Sequence, residues 1–256
     1  MPLKHDNASQ RQRGLALTEL MVSLLIGLIV MGALLDTYLG ITAAGRDALN
    51  AAKLNLELRG AIDTMTDDIR RAGGMGAPPS GTPNPFMNRA SIATFSDLNI
   101  GTFNTAGDCI EFSYDANSNG LLDADTEFFG FRIHNQAVQI RTGGSGGMAN
   151  CSTGNWADLT DPTVVQVGLP TGAASHFATS YQCMNSRTNA AATGQCIAGN
   201  SVFDVAEVGA AVDLLEKRAV TVNLAGTLQN APEMSLAFLN EVVTLRNHRI
   251  VTVGTS

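Results

Sequence analysis

Three sets of residues in this sequence have types and spacings that could do chemistry. Glu19 is the one carboxylate in an apolar segment running from Leu15 to Leu35, five residues after Gly14. A charged group at the margin of a membrane helix is costly unless paired, so Glu19 calls for a cation nearby. The stretch Asp115-Ala116-Asn117-Ser118-Asn119-Gly120-Leu121-Leu122-Asp123 puts side-chain oxygens at positions 1, 3, 5 and 9, with glycine at 6. Ca²⁺ takes about six to eight oxygen ligands. The spacing can wrap Asp115, Asn117, Asn119, Asp123 and the Leu121 carbonyl around one point, with Gly120 at the sharp turn. Thr126 stands at position 12, where a full EF-hand has glutamate; Asp125 is one early and Glu127 one late. The pattern is that of a shortened calcium loop. An Asn/Asp/Gly turn that needs no metal is the competing reading of the same residues.

The third set is Cys109, Cys151, Cys183 and Cys196, which contain no CxxC pair and allow three pairings. In an exported domain such cysteines form disulfides in preference to a zinc site. Cys183 and Cys196 enclose a short polar loop, which favours that pair and leaves Cys109 with Cys151. No histidine or basic cluster adjoins them in sequence to activate a thiol.

These residues must be held by the elements around them. Residues 1–14 form a short polar leader carrying Lys4, Arg11, Arg13 and Asp6. An ordinary secretory signal has its cleavage site after the apolar core. Here Gly14 separates the basic part from the apolar part, so a cut falls between them and leaves the apolar segment on the mature chain. Residues 15–35 are near the length that spans a hydrocarbon core, and Asp36 marks a polar boundary. Gly27, Gly32, Gly40 and Gly45 interrupt the segment; small residues permit close helix contact in lipid and weaken a helix outside it. Beyond Asp36 the helical pattern continues. Leu54, Leu58, Ala61, Met65, Ile69 and Ala72 recur at spacings of three and four and form one apolar stripe, with charged residues elsewhere. Gly73-Gly74 and then Pro78-Pro79 end it. The whole element is expected to run about 55 residues, roughly 80 Å at 1.5 Å per residue.

From residue 75 the composition changes. Residues 75–105 are rich in Pro, Gly, Asn, Ser and Thr and read as a long connection with little regular structure. Asp108–Tyr114 alternates, with Cys109 opposite Ile110 and Phe112. Glu127–Ile133 and Ala137–Arg141 read as a hairpin turning near Asn135. Thr163–Val167, Arg218–Leu224 and Glu241–Val253 are further strands. Gly143–Gly147 reads as a flexible tip, Asp158–Pro162 as a turn and residues 185–200 as a loop. The expectation is an α+β arrangement in which an antiparallel sheet covers the helical stripe.

Gly14, Leu15, Glu19 and the apolar run resemble the type IV prepilin signal, in which phenylalanine is usual where Leu15 stands. The resemblance implies that a prepilin peptidase cuts after Gly14 and methylates the new amino group of Leu15. That amine would lie about one helical turn from Glu19, able to neutralise it within one subunit or between neighbours. The resemblance extends to the minor pilins of the PilW family, through Asp68-Ile69-Arg70-Arg71-Ala72-Gly73, Asp108-Cys109-Ile110 leading to Asp115, and Glu241-Val242-Val243-Thr244-Leu245-Arg246-Asn247. It implies a pilin-like fold, with a long N-terminal helix whose first half spans the inner membrane and a β head (residues 75–256) in the periplasm. After assembly the subunit would sit in an extracellular pilus. The implied partners are other minor pilins, the major pilin and the peptidase, and the implied role is to start or assemble the filament. The type II secretion pseudopilin GspJ shares this plan. A calcium-dependent adhesive head on a pilin-type anchor is a further reading.

Composition narrows the classes. The chain has 256 residues, enough for a sizeable core, and a formal charge of -7. A net acidic chain argues against nucleic acid as a partner. His5, His134, His176 and His248 are scattered, and Gly143–Gly147 lacks the Lys-Ser/Thr of a phosphate loop. No nucleophile–base pairing marks the chain as an enzyme.

Overall fold

The computed structural model describes residues 17–76, 84–88, 96–123, 125–148, 151–185, 212–229 and 237–253. Helix α1 spans Leu17–Ile69 (53 residues) without a break at Asp36 or at any glycine. By contact the chain divides into two compact units, Met1–Leu49 and Asn50–Ser256. In the first, the large apolar side chains from Leu17 to Leu49 are exposed. By length and composition, α1 is apolar enough in this part to cross a membrane.

In the second unit the expected stripe is buried: Leu54, Leu58, Ala61, Met65, Ile69 and Ala72 are at most 3% exposed. They pack against two antiparallel sheets, where the sequence suggested one. The first has the order β1(Asn99–Thr102)-β2(Ala106–Ser113)-β3(Phe128–His134)-β4(Ala137–Arg141)-β5(Trp156–Asp158). Asn135 and Gln136, both left-handed at φ 50° and 63°, close the β3–β4 hairpin where the sequence put its turn. The second sheet is built around β8 (Val212–Leu228, 17 residues). Along β8 lie β6 (Val165–Gly168), β7 (Phe177–Asn185), β9 (Ala237–Thr244) and β10 (Arg249–Val253), all antiparallel to it.

Alternation explains how both sheets meet one helix. Ile110, Phe112 and Phe131 of the first sheet and Val220, Val222 and Leu224 of the second share one core with the stripe. The fit is tightest at Gly226, where a Cβ would come 2.7 Å from Leu58 Cδ1. The helix can approach β8 this closely only because Gly226 has no side chain.

The connection after α1 is more structured than its composition suggests. Asn84 caps a single 3-10 turn at Pro85–Met87 by accepting from the Phe86 amide at 2.8 Å. Phe86, Ser96, Asp97 and Leu98 are buried before β1 begins at Asn99. The sequence reading also joined β9 and β10 into one run. The chain leaves the sheet at Leu245–His248, and Asn247 there turns to the end of α1.

Candidate functional site

Gly14 and Leu15 lie outside the described residues. Glu19 sits in the first turn of α1, where a carboxylate complements the positive end of the helix dipole. Its carbonyl accepts the Ser23 hydroxyl at 2.7 Å. Glu19 is exposed, as are the apolar side chains that follow it along α1. An exposed carboxylate thus stands at the start of a bare apolar helix segment.

The loop of residues 115–123 is built from its own hydrogen bonds. Asp115 Oδ2 accepts from the Gly76 amide at 3.0 Å and the Gly120 amide at 2.9 Å, and Oδ1 accepts from Asn119 at 3.1 Å. Asn117 Oδ1 accepts from the Asn119 amide, Asn119 Oδ1 from Leu121 and Asp123 Oδ1 from Asp125. Glu127 is buried and does not point outward as a ligand. Its two oxygens take the amides of Ala116 at 3.0 Å and Asp123 at 2.8 Å, tying the loop's two ends together. Partial desolvation pushes the Asp115 carboxyl up, but the amides of Gly76, Gly120, Asn119 and Ser118 outweigh it and hold the group below the usual carboxylate range. Gly120 is left-handed at φ 76°, as the turn requires. Among the described residues no group of three His, Cys, Asp or Glu side chains is placed to hold a metal ion. The loop therefore has a complete shape from backbone donors, and a cation would have to share oxygens already engaged.

Cys109 is joined to Cys151 by a disulfide. Cys196 lies outside the described residues, and with it the expected Cys183–Cys196 pair. The bond belongs to a polar cluster on the face of the first sheet that turns away from α1. Glu111 and Arg141, both fully buried, form an ion pair at 2.8 Å, and the Cys151 amide donates to the other Glu111 oxygen at 3.0 Å. Burial pushes the Glu111 carboxyl up, against the pull of the Cys151 amide and the Arg141 guanidinium. Arg141 also donates to the carbonyls of Gly146 at 2.7 Å and Gly144 at 3.3 Å. The glycine run read as a flexible tip is instead wrapped round a guanidinium. Gly143, Gly144 and Gly146 take φ of 94–98° to present those carbonyls. Beside it, the Arg132 guanidinium lies between the Phe103 and Trp156 rings, 4.2 and 4.4 Å from their centres.

A second buried ion pair seals the end of α1. Arg218 of β8 pairs with Asp97, and its Nη2 donates to the Asn247 carbonyl at 3.1 Å. Asn247 Nδ2 in turn donates to the Arg71 and Ala72 carbonyls, each at 3.2 Å. Both carbonyls belong to the turn that follows Ile69, and that of Arg71 also accepts the Gly74 amide at 2.7 Å. Sequence reasoning passed over Asp97, Glu111, Arg141 and Arg218. The available signal was a charge at an alternating position inside an apolar strand, as in Ile110-Glu111-Phe112.

Of the histidines, His134 meets Phe103 edge-on and His176 Nδ1 is 3.0 Å from the Asn223 carbonyl; neither contact involves a nucleophile. A groove of about 410 Å³ between α1 and β9, reaching from Arg59 to Arg70 and across to Glu241, carries charges of both signs.

A family model described as prepilin peptidase-dependent protein B matches residues 47–245, and a model of the prokaryotic N-terminal methylation motif matches residues 9–35. No curated protein and no solved structure matches the chain.

Proposed function

The chain belongs to the prepilin peptidase-dependent protein B family, and from that premise we propose that it is a minor pilin of the PilW type. It is processed by prepilin peptidase and acts as a non-enzymatic subunit that starts or assembles a type IV pilus. The observation that carries this reading is the juxtaposition at the N-terminus. The methylation motif covers residues 9–35, and the part of α1 up to Leu35 is apolar, exposed and supplied with Glu19 as its one carboxylate. Exposed apolar surface on that scale is stable in lipid or against other helices and not in water. The peptidase would cut after Gly14 and methylate Leu15. The apolar half of α1 would hold the subunit in the inner membrane with its head in the periplasm, and the same helix would pack with those of other pilins during assembly.

The test is the intact mass of the chain purified from cells with and without the peptidase. A peptidase-dependent species beginning at Leu15, heavier by one methyl group, is the expected result. A chain that keeps its leader, or is cut after Leu35, overturns the reading. Deletion separates the pilin role from that of a GspJ-like pseudopilin: loss of surface fibres supports the first, and loss of protein secretion with fibres intact supports the second.

A second reading concerns residues 115–123. We propose that Ca²⁺ binds there weakly, on the strength of the ionised, preformed Asp115 and the oxygen spacing of Asn117, Asn119, Leu121 and Asp123. Sharing oxygens with amides already in place puts the affinity with extracellular modules, at about 10⁻⁴–10⁻³ M. In a thermal melt of the full chain in detergent, millimolar Ca²⁺ should raise Tm by several degrees, and Asp123→Asn should abolish the rise. An unchanged Tm removes both calcium and the calcium-dependent adhesive role.

A further inference from the structure

We propose that the Cys109–Cys151 disulfide is a local latch. It holds the connection between β4 and β5 against the outer face of the first sheet, and its reduction frees that flap while leaving the sheets and α1 intact. The described part of the flap is Thr142–Met148 and Cys151–Asn155.

The argument begins with what attaches the flap. Apart from the disulfide, the hydrogen bonds that hold its described residues include the carbonyls around Arg141, the Cys151 amide on Glu111, the Cys151 carbonyl accepting from Arg132 Nη1 at 2.8 Å, the Thr153 carbonyl accepting from the Trp156 indole at 2.8 Å, and the Gly144 amide donating to the Asp125 carbonyl at 2.9 Å. Among its described residues the buried apolar side chains are Met148 and Cys151 itself. No described flap residue belongs to the core cluster that joins α1 to the two sheets. Gly143, Gly144, Gly146 and Gly154 all have positive φ, so the flap regains much backbone freedom when released. A segment with few apolar contacts and a high entropy of release is drawn from the low-stability end of a fold.

The strand that carries the other cysteine is anchored quite differently. β2 is paired on both sides, to β1 and to β3, and its Ile110 and Phe112 are fully buried against the core. The disulfide therefore links a strong element to a weak one, and breaking it leaves the strong element in place. In the reaction a dithiol reductant gives two electrons and two protons to the Cys109–Cys151 bond. Two thiols form, and the reductant closes to its own disulfide. Water then reaches Glu111 and Arg141, which hydration relieves of the burial they endure when covered. The surface that this side of the head presents would thus depend on the redox state of the compartment that receives it.

Hydrogen exchange on the full chain in detergent tests the latch, comparing the oxidised protein with the Cys109→Ala/Cys151→Ala double variant and with the dithiothreitol-reduced, alkylated protein. The amides of Thr142, Gly144, Cys151 and Asn155 should lose at least about tenfold in protection, equivalent to about 1.4 kcal/mol of local stability. Amides of β2, β3, β8 and the Leu54–Ile69 part of α1 should stay within about twofold by the same measure. Flap protection that survives both treatments overturns the latch. So does loss of protection throughout the sheets, or a double variant that fails to fold, because the disulfide would then staple the whole head.

Discussion

Arg218→Met lowers the stability of the head by about 3–5 kcal/mol, the cost of removing one partner from a buried ion pair. Both side chains of the Arg218–Asp97 pair are at most 1% exposed, so solvent cannot replace the lost guanidinium. Asp97, which also accepts the Leu98 amide at 2.7 Å, would lose its guanidinium, and the Asn247 carbonyl would lose its Arg218 donor. Three segments that are distant in sequence lose their common tie at once. Urea unfolding of the full chain in detergent measures the effect as a lower midpoint at an unchanged slope. Asp97→Asn combined with Arg218→Met should recover part of the loss, since both members of the buried pair are then neutral. If the single variant falls by less than about 1 kcal/mol, within the range of exposed pairs, the pair is not a keystone.

Glu19→Gln produces a subunit that is cut and methylated normally yet is depleted in sheared filaments by about ten- to a hundredfold. The range follows from the roughly 1.5–3 kcal/mol carried by a hydrogen bond to a charged group. Glutamine keeps the shape and polarity of the side chain but cannot neutralise a free amine. The helix around it stays apolar and exposed, so membrane insertion is unaffected. The readout is the ratio of variant to wild-type chain in the sheared fraction, with membrane content as the control. Incorporation at the wild-type level would mean that Glu19 merely reaches the interface and that no amine pairs with it.

What could be read from the sequence was what is local. The stripe Leu54–Ala72 recurs within each turn of one helix, and the β3–β4 hairpin announces itself by alternation on either side of Asn135. β7 gave no such signal: Ala178, Thr179, Ser180 and Gln182 are small or polar, and it is a strand because β8 supplies its partners. β8 itself was visible only over Arg218–Leu224, because Asp213, Glu216 and Lys217 mask the alternation at one end and Gly226 at the other. Glu19 and the 115–123 loop are short-range patterns and stood out accordingly. Glu111 and Arg141 are 30 residues apart, and their meeting is a property of the sheet, not of either neighbourhood. The same holds for the glycine run, whose composition suggested freedom until a guanidinium gave its carbonyls something to surround.

The cap on α1 has a consequence for the order of events when the chain is made. Asn247 reaches the Ala72 carbonyl across 175 residues of sequence. Synthesis from the N-terminus therefore delivers the helix early and the donor that finishes its end very late. Until then the stripe has no complete cover either, because β8 and β9 also lie in the last fifth of the chain. Closing so long a loop is slow, and an uncovered apolar stripe invites wrong partners while it waits. For most of translation the stripe therefore lacks the strands that cover it in the folded head. A ribosome stalled before residue 247 would leave a head that has every strand of its first sheet and still cannot shut.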